Sequence, residues 1–160
     1  MPQVTPTGCM ASNVENFRVL IASTAAMQNW AGVSSQTECL DYVQTYRVRN
    51  GNIRTPIVVI SEEAFQTGRS HYGTVFSLSV LLHAEVPKSL IEDDPSPNID
   101  FMNNRDAIIK EAIQTGETND YGFIFDPRNA CEHLSQISRR SKTDTEDALE
   151  QWIKFNFGIR

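Results

Sequence analysis

Residues 74–86 read TVFSLSVLLHAEV, and this stretch decides the fold. Its apolar and polar residues alternate with a period of two, which is typical of a half-buried β-strand. The apolar face takes Thr74, Phe76, Leu78, Val80, Leu82, Ala84 and Val86, and the polar face takes Ser77, Ser79, His83 and Glu85. The pattern predicts a sheet with helices on its apolar side and with water or a partner on its polar side.

A second strand is predicted over residues 147–160, DALEQWIKFNFGIR. Its apolar residues share one parity: Leu149, Ile153, Phe155, Phe157 and Ile159. Lys154 and Asn156 take the other parity, so this strand also has one buried face. It carries no side chain that performs chemistry, and we therefore expect a structural use for it.

Shorter strands surround these two. Asn50-Gly51, between TYRVR (45–49) and IRTPIVVI (53–60), suits a type I′ turn and predicts a hairpin or a tight connection. Pro56 has no N–H to donate, so it belongs at an edge or at a strand start. FIFD (123–126) is typical of a short strand. The segment SEEAFQTGRSHYG (61–73) is polar with two glycines, and we interpret residues 61–72 as a long loop.

Residues 131–142 are open to two interpretations. Cys131, Leu134 and Ile137 fit the spacing of a helix. The polar turn TDTE (143–146) before a strong strand favours a closing hairpin instead, and the hairpin is our prediction.

Three helices are predicted. Ser12 and Glu15 form a capping box for a first helix that runs to Trp30, with Gly32 placed to end it. A second box, SQTE (35–38), opens a short helix. A third helix opens at residues 96–98, and Gly116 is expected to end it. Its apolar stripe consists of Phe101, Met102, Ile108, Ile109, Ala112 and Ile113.

The composition suits one folded domain. The chain has 160 residues, 40% hydrophobic and 21% charged, with a mean hydropathy of −0.34. We predict a flexible lead-in over residues 1–11 and a single α+β domain over residues 12–160, with a mixed, mainly antiparallel sheet and helices packed on one face. The apolar stretches are too short to span a membrane, and residues 1–10 do not resemble a signal peptide, so we expect synthesis as an intracellular protein.

The residues that carry chemistry form no recognisable catalytic, cofactor or metal motif. Cys9, Cys39 and Cys131 are far apart, which is typical of free thiols. The acids of IEDDPSPNID (91–100) lack the spacing of a calcium loop and are interpreted as a solvated loop. We predict no cofactor and no catalytic residue.

One enzymatic hypothesis stays open, a small hydrolase in which His83 works with Glu85 on one strand face. A third hypothesis is an accessory protein that binds one partner through the loop 61–72. The basic cluster Arg139, Arg140 and Lys142 is interpreted as a turn flank or a protein contact, because the net charge of −6 disfavours binding to nucleic-acid phosphates.

The order of the elements resembles that of the tail terminator proteins, small neck proteins of tailed bacteriophages. The resemblance covers about residues 15–160 and depends on apolar pattern and element order. The segments that carry it are VLIASTAAMQNWAG (19–32), RTPIVVIS (54–61), GTVFSLSVLLHAEVP (73–87), FMNNRDAIIKEAI (101–113), LSQISRR (134–140) and ALEQWIKFNFGI (148–159).

The resemblance implies a virion protein that acts by assembly and not by catalysis. Family members form a ring, hexameric where known, which ends tail-tube growth and joins the tube to the head connector. DNA would pass through an acidic lumen without specific binding, and the strand over residues 147–160 would leave an edge for a neighbour. The residues expected at interfaces are Arg69, His71, Tyr72, His83, Glu85, Arg139, Arg140, Lys154 and Asn156.

Overall fold

A computed structural model describes residues 10–45, 56–70, 73–88, 95–118, 123–126 and 128–159. The helices are α1 (Met10–Ser23), α2 (Ala25–Ala31), α3 (Gln36–Cys39) and α4 (Ser96–Thr118), with a 3-10 turn at Leu40–Tyr42. The strands are β1 (Val43–Thr45), β2 (Ile57–Ser70), β3 (Gly73–Pro87), β4 (Phe123–Phe125), β5 (Cys131–His133), β6 (Ser138–Ser141) and β7 (Glu146–Ile159).

The described strands form one mixed, mainly antiparallel sheet, and the predicted α+β class is confirmed. The backbone order is β1-β2-β3-β7, with β4, β5 and β6 along the far side of β7. The apolar side chains on one face of β3 and β7 pack with those of α1 and α4 in a single core, as predicted. Phe17 of α1 lies at its centre, with its ring 5.0 Å from Phe155 and 6.0 Å from Phe157.

β7 is an interior strand and not an edge. One side pairs with β3 from Val75↔Gly158 to Pro87↔Glu146. The other side pairs with β4, β5 and β6 in turn. The expectation that β7 leaves an edge for a neighbour is therefore wrong, because the three short strands β4, β5 and β6 together cover that edge. The hairpin preferred for residues 131–142 and the strand at FIFD are confirmed.

The predicted loop over residues 61–72 is wrong for residues 61–70, which continue β2 as far as Ser70. The register of β2 against β3 shifts between Ile60 and Ala64 and again between Gln66 and Gly68. Extra residues at these shifts break the alternation that marks a strand, and the segment therefore has the composition of a loop. His71 and Tyr72 lie outside the described residues.

β1 pairs parallel with β2, from Val43↔Val58 to Thr45↔Ile60. The hairpin or tight connection predicted around Asn50-Gly51 lies outside the described residues. Pro56 directly precedes β2, as predicted for a strand start.

The first predicted helix is broken at Thr24. Thr24 adopts extended dihedral angles, and its Oγ1 accepts a hydrogen bond from Met27 N as the N-cap of α2. The predicted cap at Ser12 is also wrong, because α1 is already helical at Met10. Gly32 ends α2 with φ of 73°, as expected, and Ser35 caps α3 by accepting from Glu38 N.

α4 runs through Gly116, which was expected to end it. Within the helix this glycine allows close packing: a Cβ at position 116 would lie 2.6 Å from Phe125 Cε2. Phe101, Ile108 and Ala112 are buried, as the apolar stripe predicts. None of the described helices is long and apolar enough to cross a membrane.

Candidate interaction surface

The sheet has a second face, which we call the outer face, formed by the strand residues of opposite parity to the core. On β3 and β7 it consists of Ser77, Ser79, Leu81, His83, Glu85, Ala148, Glu150, Trp152, Lys154 and Asn156. None of these residues belongs to the core that α1 and α4 build. His83, Glu85, Lys154 and Asn156, four of the nine residues expected at interfaces, lie here, which makes the outer face the candidate site.

An apolar band crosses the middle of the outer face. Val59, Leu81 and Trp152 are register partners on β2, β3 and β7 and form one row. Val59 is buried, whereas Leu81 and Trp152 are half-buried. The band therefore places partly accessible aliphatic and aromatic surface on the side of the sheet that carries the charges.

Four charged groups and a histidine form the first flank of the band. Glu150 Oε2 lies 2.9 Å from His83 Nδ1, and its Oε1 accepts from Arg140 Nε at 2.6 Å. Lys142 donates to Glu85 and lies 3.5 Å from His83 Nε2. Because an ammonium can only donate, His83 Nε2 is the acceptor, and Nδ1 carries the proton that is donated to Glu150.

A smaller polar group forms the second flank. Lys154 Nζ lies 2.5 Å from Glu132 Oε1 across the β5–β7 pairing. Beyond it, Ser77 Oγ donates to Asn156 Oδ1 at 2.5 Å, and Asn156 Nδ2 donates to the Asn129 carbonyl at 3.0 Å. Alternate residues on a strand are about 7 Å apart, so each flank lies about 7 Å from the band.

Two carboxylates on the flanks are held in their charged form. Burial alone would raise the pKa of Glu150, but the hydrogen bonds from Arg140 and His83 outweigh it and hold that pKa below 4.5. Hydrogen bonds from Lys154 and Asn129 lower the pKa of Glu132 in the same way. The ion pairs that Glu132 and Glu150 make are therefore formed at neutral pH.

The remaining predicted interface residues lie elsewhere. Arg139 donates to Asp147 Oδ2 at 2.9 Å and belongs to the helix side of the β6–β7 hairpin. Arg69 lies in β2 opposite Thr74, but its side chain is outside the described part of the chain, as are His71 and Tyr72. The basic cluster Arg139, Arg140 and Lys142 flanks a turn, as interpreted, with each cation beside a carboxylate.

The geometry gives little support to the His83–Glu85 hydrolase hypothesis. His83 is 5% exposed, and both ring nitrogens are engaged, by Glu150 and by Lys142. Glu85 is bound to Lys142 instead of His83. A general base needs a free nitrogen within reach of a substrate, which this arrangement does not offer.

Other candidate sites are few in the described part of the chain. Across those residues, no group of three or more His, Cys, Asp or Glu is arranged to hold a metal ion. Burial raises the pKa of the Cys39 thiol to about 11 and that of Cys131 to about 12. A groove of about 480 Å³ separates α4 from residues 133–137, and Arg105 at its wall donates to Gln151 Oε1 at 2.9 Å.

Comparison with known proteins gives no further guide: no protein-family model matches the sequence, and no curated protein matches it.

Several residues of the outer face escaped the sequence interpretation. Glu132 and Glu150 are the carboxylates that hold the flanks together, and Trp152 lies in the band beside Leu81. The parity of residues 147–160 placed Glu150 and Trp152 opposite the core, so that signal was present. Their partners could not be found, because cross-strand register is not readable from one strand alone.

Proposed function

We propose that this chain is a structural protein of a tailed-phage virion, a tail terminator that forms a ring at the neck, caps the tail tube and joins it to the head connector. The observation that carries the proposal is the two-sided sheet. α1 and α4 pack on one side, and the other presents an apolar band between paired charges. A protein that acts by assembly needs such a preformed surface, with an apolar centre and a polar rim.

The edge of β2 supports the same function. β1 pairs with residues 58–60 of β2, and none of the described strands pairs with residues 62–70 on the side that faces away from β3. An open edge offers backbone donors and acceptors to a neighbouring chain. In a closed ring such pairing ends with the last subunit and does not continue into a filament.

The charge balance supports the passage of DNA. The chain carries a net charge of −6, and the described basic cluster is paired with carboxylates. A lumen lined by such a chain would repel phosphates, so DNA could slide through without binding.

The test needs the tail-tube subunit that the proposal implies in the same genome. Tube subunits are polymerised with and without an equimolar amount of this protein and are examined by negative-stain electron microscopy. We expect tubes of restricted length with a ring, six copies in our proposal, at one end. Tubes of unchanged length without added density at their ends would refute the proposal.

A further inference from the structure

We propose that the groove between α4 and residues 133–137 binds the acidic segment 90–94, LIEDD, of a second copy of this chain. This inference rests on the proposed function and names a contact between neighbouring subunits of the ring. Groove and segment are different patches, so the contact is head-to-tail. Each copy offers its groove to one neighbour and its segment to the other, which is the kind of contact that builds a closed ring.

The groove is open to solvent and has apolar walls. Its volume of about 480 Å³ lies in the range of ligand-binding clefts. Leu134 on one wall is 48% exposed, and Met102 on the other wall is half-buried. Ile99, which is 45% exposed, lies one helical turn before Met102 on the same side of α4. The two large apolar side chains that are exposed in the described part of the chain thus lie at or beside this groove, and such surface marks interaction sites.

A buried arginine gives the groove a cation. Arg105 is 7% exposed and lines the groove. Its Nε donates to Asp106 Oδ1 at 2.9 Å, and its Nη1 donates to Gln151 Oε1 at 2.9 Å. A guanidinium has five N–H groups, so three of them, including both on Nη2, have no acceptor among the described residues. Nη2 is not fully buried, and the groove is the open space beside it.

These donors favour a carboxylate. The described residues that line the groove include no Asp or Glu. The one described carboxylate bound to Arg105 is that of Asp106, whose side chain is 63% exposed and leaves Nη2 untouched. Bonds between a guanidinium and a carboxylate are charge-assisted and often use two N–H groups at once. The groove therefore suits a peptide that places a carboxylate on Arg105 and an aliphatic side chain between Leu134 and Met102.

The sequence of this chain contains such a peptide. Glu92, Asp93 and Asp94 form its longest run of acids, and Leu90 and Ile91 directly precede them. These residues lie outside the described residues, so the segment is identified by its sequence alone. Two copies that each carry −6 repel each other over most approaches. An acidic segment that meets an arginine provides one approach in which opposite charges face each other.

The experiment compares wild type with Arg105→Gln and with the double variant Asp93→Asn, Asp94→Asn by sedimentation velocity over a range of protein concentrations. We expect wild type to self-associate, and each variant to associate at least about tenfold more weakly. Removing acids from an acidic chain lowers its general repulsion, so weaker association of the double variant cannot be a non-specific charge effect. The matched control Glu38→Gln with Asp144→Asn removes two exposed acids elsewhere and should not weaken association.

Mixing the two variants tests the direction of the contact. Arg105→Gln keeps its segment, and Asp93→Asn, Asp94→Asn keeps its groove, so each mixed pair has one working contact. We expect the mixture to form dimers that do not grow further, whereas each variant alone stays monomeric.

A further variant covers the case in which Arg105→Gln fails to fold, which far-ultraviolet circular dichroism detects. Leu134→Glu places an acid on the exposed wall of the groove, where it repels the acidic segment, and should weaken association to a similar extent. Wild type that stays monomeric at every concentration, folded groove variants that associate like wild type, or equal weakening by the matched control overturns the inference.

The inference and the proposed function fail in different ways. A folded Arg105→Gln variant that restricts tube length as wild type does overturns the inference and leaves the function standing. Wild type that associates through Arg105 but never changes tube length overturns the function and leaves the inference standing.

Discussion

Gly116 on α4 lies so close to Phe125 on β4 that a Cβ atom at position 116 would be 2.6 Å from Phe125 Cε2 and 3.3 Å from Leu20 Cδ2. Phe125 is 2% exposed and packs against the rings of Phe155 and Phe157, so it has little room to move. Helix, strand and sheet meet at this point, and the glycine sets their distance.

We predict that Gly116→Ala destabilises the protein. Alanine favours the helix by about 1 kcal/mol, but overpacking a core costs about 1–3 kcal/mol. We expect a net loss of about 1 kcal/mol in the free energy of unfolding, measured in urea. Phe125→Leu makes room at the contact, so Gly116→Ala should cost less in that background; equal costs in both backgrounds would contradict the contact.

The buried faces of the long strands were predictable from the sequence, whereas the end of α4 was not. The apolar parity of β3 and β7 predicted their buried faces correctly, because a side-chain period of two depends on the strand alone. Gly116 was expected to end α4, since glycine is a common helix terminator. The close approach of Phe125, a residue on another element, accounts for the glycine, and no local pattern contains that contact.

The outer face shows the same limit. The polar residues that alternate along 77–85 predicted a second, polar face of the sheet. His83, Glu85, Lys154 and Asn156 lie on that face. Their pairing was not predictable: His83 meets Glu150 across two strands and not the nearby Glu85. The strand over residues 61–70 was also missed in the sequence. Extra residues at the bulges of β2 break the alternation of side chains, although the pairing with β3 continues.

Arg18 ties α1 to the start of the sheet. Its Nε donates to the Val43 carbonyl at 2.5 Å and its Nη2 to the Leu40 carbonyl at 2.8 Å, both buried. Arg18→Met leaves these carbonyls without a charged donor, and we expect a loss of about 2–4 kcal/mol in urea unfolding. Glu15→Gln is the control: it removes only a partly exposed ion pair with Arg18 and should cost less than about 1 kcal/mol. Equal losses would show that the carbonyl contacts contribute nothing.

Acid should weaken the fold through Glu132 and Glu150. Both pKa values are lower in the folded protein than 4.5, so the folded state favours the charged carboxylates. Their stabilisation is complete above about pH 4.5 and is lost as pH falls through the lower folded values. We expect the double variant Glu132→Gln with Glu150→Gln to show a flatter decline of the urea midpoint below pH 4.5 than wild type. Lys154→Met should remove the share of that decline which belongs to Glu132; a wild-type slope in both variants would refute the assignment.

The two described cysteines should react slowly in the native state. With pKa values of about 11 and about 12, at pH 8 only about one in a thousand Cys39 thiols and fewer Cys131 thiols are ionised. The test uses Cys9→Ser, which leaves these two thiols alone, and measures labelling by an aromatic disulfide reagent. We expect slow labelling in buffer and rapid labelling of two thiols in urea. Rapid labelling of the folded protein would show that the thiols are accessible and ionised.

The proton position on His83 separates a structural role from a catalytic one. The contacts to Glu150 and Lys142 require the proton on Nδ1 and a lone pair on Nε2, and nitrogen-15 NMR distinguishes the two tautomers at neutral pH. We expect the Nδ1–H form in wild type. Lys142→Met removes the donor to Nε2 and should shift the ring nitrogen signals. Lys88 contacts Ser141 and not His83, so the control Lys88→Met should leave them unchanged.

We also expect His83→Gln to lower stability by about 1–2 kcal/mol, since Glu150 loses a buried hydrogen bond. An Nε2–H tautomer in wild type, or a His83→Gln variant of wild-type stability that loses a measured hydrolytic turnover, would replace the structural role with a catalytic one.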